Sequence, residues 1–250
     1  MITADNIKNF PSLKKTGLIP RKAKKGPEID FLYDYIQSSL PKAPAGQKLT
    51  IFIEPNVESV FPDAVAVYWD LETSQKWNKC RLLITKKDVR VLHYLALTKT
   101  EHLPILERYH APNVIESLER LEAANLVVRK PRTWQIRSLK EIFAVKRLIT
   151  IEAKIGDWQR GLLQAFFHTW FASESYLLLS KLPKHHKLVD EASRLGIGLV
   201  TSDENLDESL AIAKRDRIPK SYASWLFNEW AWKANYHKIH YEISSYGNRP

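Results

Sequence analysis

The chain has 250 residues, 44% hydrophobic and 26% charged, an ordinary globular balance with room for one large domain or two small ones. Its 38 Lys and Arg against 28 Asp and Glu leave a net charge of +10, which favours polyanionic partners, nucleic acid first among them. A single cysteine, Cys80, excludes an internal disulfide and a cysteine-held zinc. With no bilayer-length apolar run and no apolar core behind the N-terminal charges, a cytoplasmic protein without membrane or secretory leader is expected.

Residues 1 to 27 are broken by Pro11, Gly17, Pro20, Gly26 and Pro27 and carry Arg21, Lys22, Lys24 and Lys25. They suggest a basic arm, either a phosphate contact or a solvated leader. From Glu28 to Leu40 the spacing of Ile29, Leu32, Tyr33 and Ile36 predicts a helix stopped by Pro41. Lys48 to Glu54 and Phe61 to Asp70 are apolar and β-branched, and the Pro55–Ser59 loop between them predicts an antiparallel hairpin. Residues 71 to 80 are expected to form a polar turn.

Three short helices follow. Thr85 with Asp88 is a capping signal for the first, which carries Val89, Leu92, Leu95 and Leu97. Thr100 is expected to cap the second, with Leu103, Leu106 and Tyr109. Pro112 opens the third, with Val114, Ile115, Leu118 and Leu121 on one face and Asn125 as a left-handed end residue. Leu126–Arg129 and Trp134–Arg137 then predict a short hairpin. Between Lys76 and Lys140 there are 14 Lys and Arg against 6 Asp and Glu, a net of +8. The stretch Ala111–Lys130 (APNVIESLERLEAANLVVRK) resembles the recognition helix and wing of the winged helix-turn-helix family. The resemblance implies nucleic-acid contacts from Lys86, Lys87, Asn113, Arg120, Arg129, Lys130 and Arg132. Such modules also bind proteins.

Beyond Lys140, strands are predicted at Leu148–Lys154, Ser175–Ser180 and Ile197–Thr201, alternating with helices at Trp158–Phe171 and Lys187–Leu195. That alternation implies parallel strands with crossover helices. From about Asp207 the chain is expected to be helical. Its aromatics Tyr222, Trp225, Phe227, Trp230, Trp232, Tyr236 and Tyr241 suit a core, a subunit interface or, less simply, base stacking.

The chemistry lies in two motifs. Pro62-Asp63 is the one Pro-Asp in the chain, and Glu152-Ala153-Lys154 is its one acid-x-Lys triplet. Both sit on apolar strands, although about ninety residues separate them. Residues two apart on a strand share a face, so Glu152 and Lys154 project together while Ala153 points into the packing. A strand-end salt bridge beside a turn aspartate is the bland alternative.

With residues 71 to 147 set aside, the element order and this motif pair resemble the PD-(D/E)XK phosphodiesterase superfamily, the restriction-endonuclease-like fold. The resemblance covers residues 28 to 70 and 147 to 202 and departs from the family in the long gap, which an inserted domain explains. It implies Asp63 and Glu152 as metal ligands joined by the Ala153 backbone carbonyl, with Lys154 as the catalytic amine. The cofactor would be Mg²⁺, with Mn²⁺ as a substitute. Gln164 is the preferred glutamine on the following helix, ahead of Gln159. Asp157, Gly161, Gln164 and His168 form one helical stripe, functional or solvent-facing. Glu28, Glu54 and Glu58 are candidate extra acids, and His185-His186 more simply a surface pair.

The expected fold is therefore α/β. A restriction-endonuclease-like mixed sheet flanked by helices occupies 28–75 and 141–206. A winged-helix α+β domain is inserted at 76–140, behind the arm 1–27, and a helical C-terminal region occupies 207–250. The expected activity is metal-dependent DNA endonuclease, with double-stranded DNA favoured and a homodimer open. No glycine-rich phosphate loop points to a nucleotide cofactor. A non-enzymatic DNA-binding regulator and an RNA-directed nuclease are the alternatives.

Overall fold

The structure, a computed structural model, describes residues 16–18, 26–58, 60–110, 114–182, 187–202 and 204–237. The basic cluster Arg21–Lys25, Asn113, His185-His186 and Tyr241 therefore lie outside the described residues. In chain order, α1 (Pro27–Ser38) leads into β1 (Gln47–Ile53) and β2 (Ala64–Asp70). The segment after β2 is not the expected plain turn. Asp70 caps α2 (Leu71–Gln75) by accepting from the Thr73 amide at 2.8 Å, and a 3-10 helix follows at Lys79–Leu83.

Next come α3 (Lys86–Thr98), β3 (Thr100–His102), α4 (Leu103–His110), α5 (Val114–Ala123), β4 (Val127–Arg129), β5 (Thr133–Ile136) and α6 (Leu139–Ile142). The capping box forms as expected: the Asp88 carboxylate accepts from the Thr85 amide at 2.8 Å. Asn125 takes the left-handed conformation after α5. Thr100 is not a helix cap. Lys99 ends α3 at φ 67°, and the chain turns into a strand that pairs with β5. Pro104 at the second position of α4 sets that helix start instead. Three short strands in the order β3-β5-β4 complete the segment.

The chain then forms β6 (Val145–Lys154), α7 (Trp158–His168), β7 (Glu174–Leu179), α8 (Lys187–Leu195), β8 (Gly198–Thr201) and α9 (Tyr222–Tyr236). The protein is mixed α/β, with a five-stranded sheet in the order β1-β2-β6-β7-β8 flanked by helices. β1, β2 and β6 are antiparallel neighbours, and β6, β7 and β8 are parallel. The expected helix from Asp207 begins only at Tyr222. Residues 209–211 instead follow the edge of β8, where the Leu199 amide donates to Ala211 O and the Leu210 amide to Leu199 O. Among the described residues no helix is long and apolar enough to cross a membrane.

Side-chain alternation splits the sheet into two faces. Ala64, Ala66, Ile149, Ile151 and Ala153 pack against α1 through Ile29, Leu32 and Ile36. Phe52, Val65, Val67, Trp69 and Leu148 face the other way, onto α9 and residues 84–134. α7 and α8 cover Leu177, Leu179 and Leu199 on the parallel half. α9 is buried from Ala223 to Ala234, so its tryptophans are internal and not a subunit surface. Residues 84–134, including Leu92, Leu95, Leu118 and Leu121, share one continuous apolar cluster with α9 and the sheet. The Arg81–Glu229 ion pair, 1% and 2% exposed, fastens that junction at 2.7 Å.

Candidate active site

The β2–β6 register brings the two motifs together. Ala64 pairs with Ile151 and Val65 with Thr150. One further step places Asp63 opposite Glu152. There the side chain of Asp63 takes over the ladder, its Oδ2 accepting from the Ala153 amide at 2.8 Å. On the other side Asp63 O accepts from the Glu54 amide at 2.9 Å. Glu54, Asp63 and Glu152 thus stand abreast across three strands.

Glu152 is 0% exposed, and the Lys154 and Asp63 side chains are 10% and 25% exposed. Lys154 Nζ donates to Glu152 Oε1 at 2.7 Å and to Ala153 O at 3.0 Å, and lies 3.7 Å from Asp63 Oδ2. Glu152 Oε2 is buried with no hydrogen-bond partner among the described residues. Charge in so dry a place shifts ionisation. Burial, then Asp63, pushes Glu152 up to about 8 against the pull of Lys154. Burial also raises Asp63, opposed by Lys154 and the Ala153 amide. For Lys154 burial favours the neutral amine, but Glu152 and Asp63 outweigh it and hold the ammonium above the ordinary lysine value.

A cleft of about 280 Å³ opens over this cluster, lined by Glu28, Glu54, Phe61, Arg160 and Gln164 among others. It is bounded by the first turns of α1 and α7. Asp157 caps α7 by accepting from the Arg160 amide at 3.3 Å. Gly161 lets that helix ride directly on the lysine: a Cβ there would stand 2.7 Å from Lys154 Cγ and 2.7 Å from Leu177 Cδ1. The predicted stripe on α7 is therefore not a solvent face. Gly161 and His168 are buried, and Gln164 is half-buried and lines the cleft. Gln164 Oε1, His168 Nδ1 and Thr150 Oγ1 join Glu152 Oε2 as buried polar atoms without a partner among the described residues. Burial, then the charge of Lys154, pushes the His168 imidazole down to about 4.

Among the weaker candidates, Gln159 is exposed and does not line the cleft. Glu28 lines it, its Oε1 accepting from the Ile155 amide at 3.4 Å. Glu58 turns away and pairs with Arg90 at 3.1 Å. The residue that the sequence reading passed over is Arg160. It stands three residues after Asp157 and four before Gln164, so the stripe's own spacing pointed to it.

The proposed nucleic-acid contacts divide. Lys87, Arg129, Lys130 and Arg132 are exposed and make no ion pair among the described residues. Lys86 is half-buried, 5.8 Å from the Trp230 ring. Arg120 is committed inward: its guanidinium donates to both oxygens of the fully buried Asp88 at 2.8 and 3.0 Å.

Metal fit can be judged from these donors. No group of three or more His, Cys, Asp or Glu among the described residues is arranged to hold an ion. Mg²⁺, however, often takes only one or two carboxylates and completes its shell with water and phosphate. The Lys154 ammonium already stands among Glu152 Oε1, Ala153 O and Asp63 Oδ2, as a cation in a cation's place. With the orphaned Glu152 Oε2, the donor set fits a hard divalent ion. The chain matches no protein-family model, no curated protein and no solved structure.

Proposed function

We propose that the protein is a divalent-metal-dependent phosphodiesterase of the PD-(D/E)XK type, cutting DNA as an endonuclease. The observation that carries this reading is the meeting of Asp63, Glu152 and Lys154 at one buried point despite their separation in sequence. A structural salt bridge to Lys154 has no use for the second acid, whereas a metal site uses both carboxylates. The order of elements in the sheet and the helix-plus-hairpin character of residues 86–136 agree with the restriction-endonuclease-like core and inserted winged helix that the sequence resembles.

Asp63, Glu152 and the Ala153 carbonyl would hold Mg²⁺ or Mn²⁺. The ion supplies an acidified water and neutralises charge on the phosphate. The chain's own part is positional and electrostatic. Ala153 fixes Asp63 through its amide, and Lys154 keeps its proton and places a positive charge beside the carboxylates. From that place the ammonium would orient the attacking water or balance charge on the phosphate. Gln164 offers a further polar contact from α7. The exposed Lys87, Arg129, Lys130 and Arg132 supply non-specific grip on the backbone.

The test is cleavage of plasmid, linear duplex, single-stranded DNA and RNA with Mg²⁺, Mn²⁺ or EDTA. We expect metal-dependent nicking or cutting of DNA that falls by at least about a hundredfold in Asp63→Ala and in Lys154→Ala. Binding without cutting under every metal would leave a DNA-binding regulator.

A further inference from the structure

We infer that Arg160 is the phosphate-contacting residue of the cleft: it receives a non-bridging oxygen of the bound strand beside the metal-binding acids. The inference rests on the nuclease reading and names a contact that neither motif contains. It starts from charge. The cleft lining holds the acids Glu28, Glu54, Asp63, Glu152 and Asp157 against two cations, Lys154 and Arg160. Lys154 is committed to Glu152 and Asp63. Arg160 makes no ion pair among the described residues. An approaching phosphodiester therefore meets a negative wall, and a single divalent ion offsets only part of it. Arg160 is the lining cation that makes no ion pair among the described residues, so it can add to that attraction inside the cleft.

Geometry supports the assignment. The Arg160 amide is held by the Asp157 cap, so the first turn of α7 is fixed. The next residue, Gly161, is in contact with the Lys154 stem, which sets this turn immediately over the catalytic lysine. Arg160 itself is exposed, so its fork can reach a ligand without first breaking a buried contact. A guanidinium suits the task, since its planar donors match two phosphate oxygens at once and it stays charged at every working pH.

The experiment compares wild type, Arg160→Ala, Arg160→Lys and Arg129→Ala. Affinity for a fluorescein-labelled 20-nucleotide strand and its duplex is measured by anisotropy in Ca²⁺ over a salt series, and cleavage kinetics in Mg²⁺. Arg160→Ala is expected to flatten the salt dependence by about one phosphate contact on either substrate and to raise KM several-fold. Arg160→Lys should restore the salt slope but not the full cleavage rate, because a point charge lacks the two-pronged contact. Arg129→Ala, at a backbone contact outside the cleft, should flatten the slope on the duplex and raise KM. Unaltered slope and KM in Arg160→Ala, with an active wild type, would overturn the inference and leave the nuclease reading standing. A flattened slope in a protein that cuts nothing under any metal would do the reverse.

Discussion

The protein buries charge in two places and treats it in opposite ways. At the junction of residues 79–123 with α9, each buried charge among the described residues has a partner. Arg81 is bidentate to Glu229 and also donates to Ile142 O. Asp88 receives Arg120 and its own helix cap, and Lys233 donates to Ile84 O at 2.7 Å. At the end of β2 and β6, the acids share one ammonium and leave Glu152 Oε2 unanswered. A saturated network holds elements together, because removing any member strands a charge in a dry medium. An unsaturated one is held in place by the surrounding fold, and on the proposed function it serves a ligand.

The sharpest way to break this contrast is to delete one charge from each place. Arg81→Met leaves Glu229 buried and unpaired, and should cost about 3–5 kcal/mol of unfolding free energy. Glu152→Gln removes a charge that the fold already resists, so stability should hold or rise while metal-dependent cleavage disappears. Urea denaturation of both variants in EDTA gives the comparison directly. If Glu152→Gln loses as much stability as Arg81→Met, the acid cluster is architecture and the distinction fails.

Gly161 tests how tightly the unsaturated cluster is held. An added methyl needs space now taken by Lys154 Cγ and Leu177 Cδ1. Leu177 can turn its end aside, whereas the lysine stem must move with its ammonium. A displacement on the order of 1 Å at a reacting group can cost about a hundredfold in rate. Alanine gains about 1 kcal/mol of helix propensity, which offsets part of the crowding. Gly161→Ala should therefore lose kcat far more than it loses thermal stability. Equal kcat in mutant and wild type would mean that Lys154 needs no exact seat.

Much of this was legible in the sequence and some was not. Strand pairs and their faces followed from alternation, so the shared face of Glu152 and Lys154 and the inward turn of Ala153 were predictable. So was the Thr85–Asp88 cap. Asn125 was equally plain, because end chemistry is local. Pairings across the fold left no such mark. Nothing beside Arg120 in sequence announces Asp88, so an arginine in a segment of net positive charge suggests a nucleic-acid contact. The aromatics of α9 show the same limit. Their density indicated burial, but only the packing shows that the surface they bury belongs to the sheet and residues 84–134. The short strand at Thr100–His102 was missed because three residues carry no periodicity, and pairing with β5 alone defines them.

A pH series separates the two regions by sign. Glu152 titrates near 8 in the fold and near 4.5 unfolded. Below 4.5 it is neutral in both states. Between those values the unfolded chain ionises first, so this group's contribution to stability is progressively lost as pH rises towards 8. In EDTA the Tm of wild type should fall relative to Glu152→Gln between pH 5 and 8. With Mg²⁺ the trend should invert, because the ion requires the carboxylate and displaces its proton. Parallel Tm curves for the two proteins in EDTA would contradict the shift.

The smallest expected effect probes a polar tie between the regions near the site. The loop from Glu54 to Asp63 buries Val57 in the shared core and takes left-handed backbone at Glu54 (φ 42°) and Glu58 (φ 56°). Glu58 then reaches Arg90 of α3 at 3.1 Å, with both side chains substantially exposed. An exposed pair contributes roughly 0.2–1 kcal/mol. Buried Val57 and the Glu54–Asp63 backbone bond hold the loop without it. Arg90→Ala should thus shift Tm only slightly and leave cleavage within a few-fold of wild type at low salt. A loss of tenfold or more in kcat, with Tm unchanged, would mean that α3 sets the position of Asp63 through this pair. The helical segment would then act on the acid cluster as well as supplying the proposed grip on nucleic acid, and the two regions would be one machine.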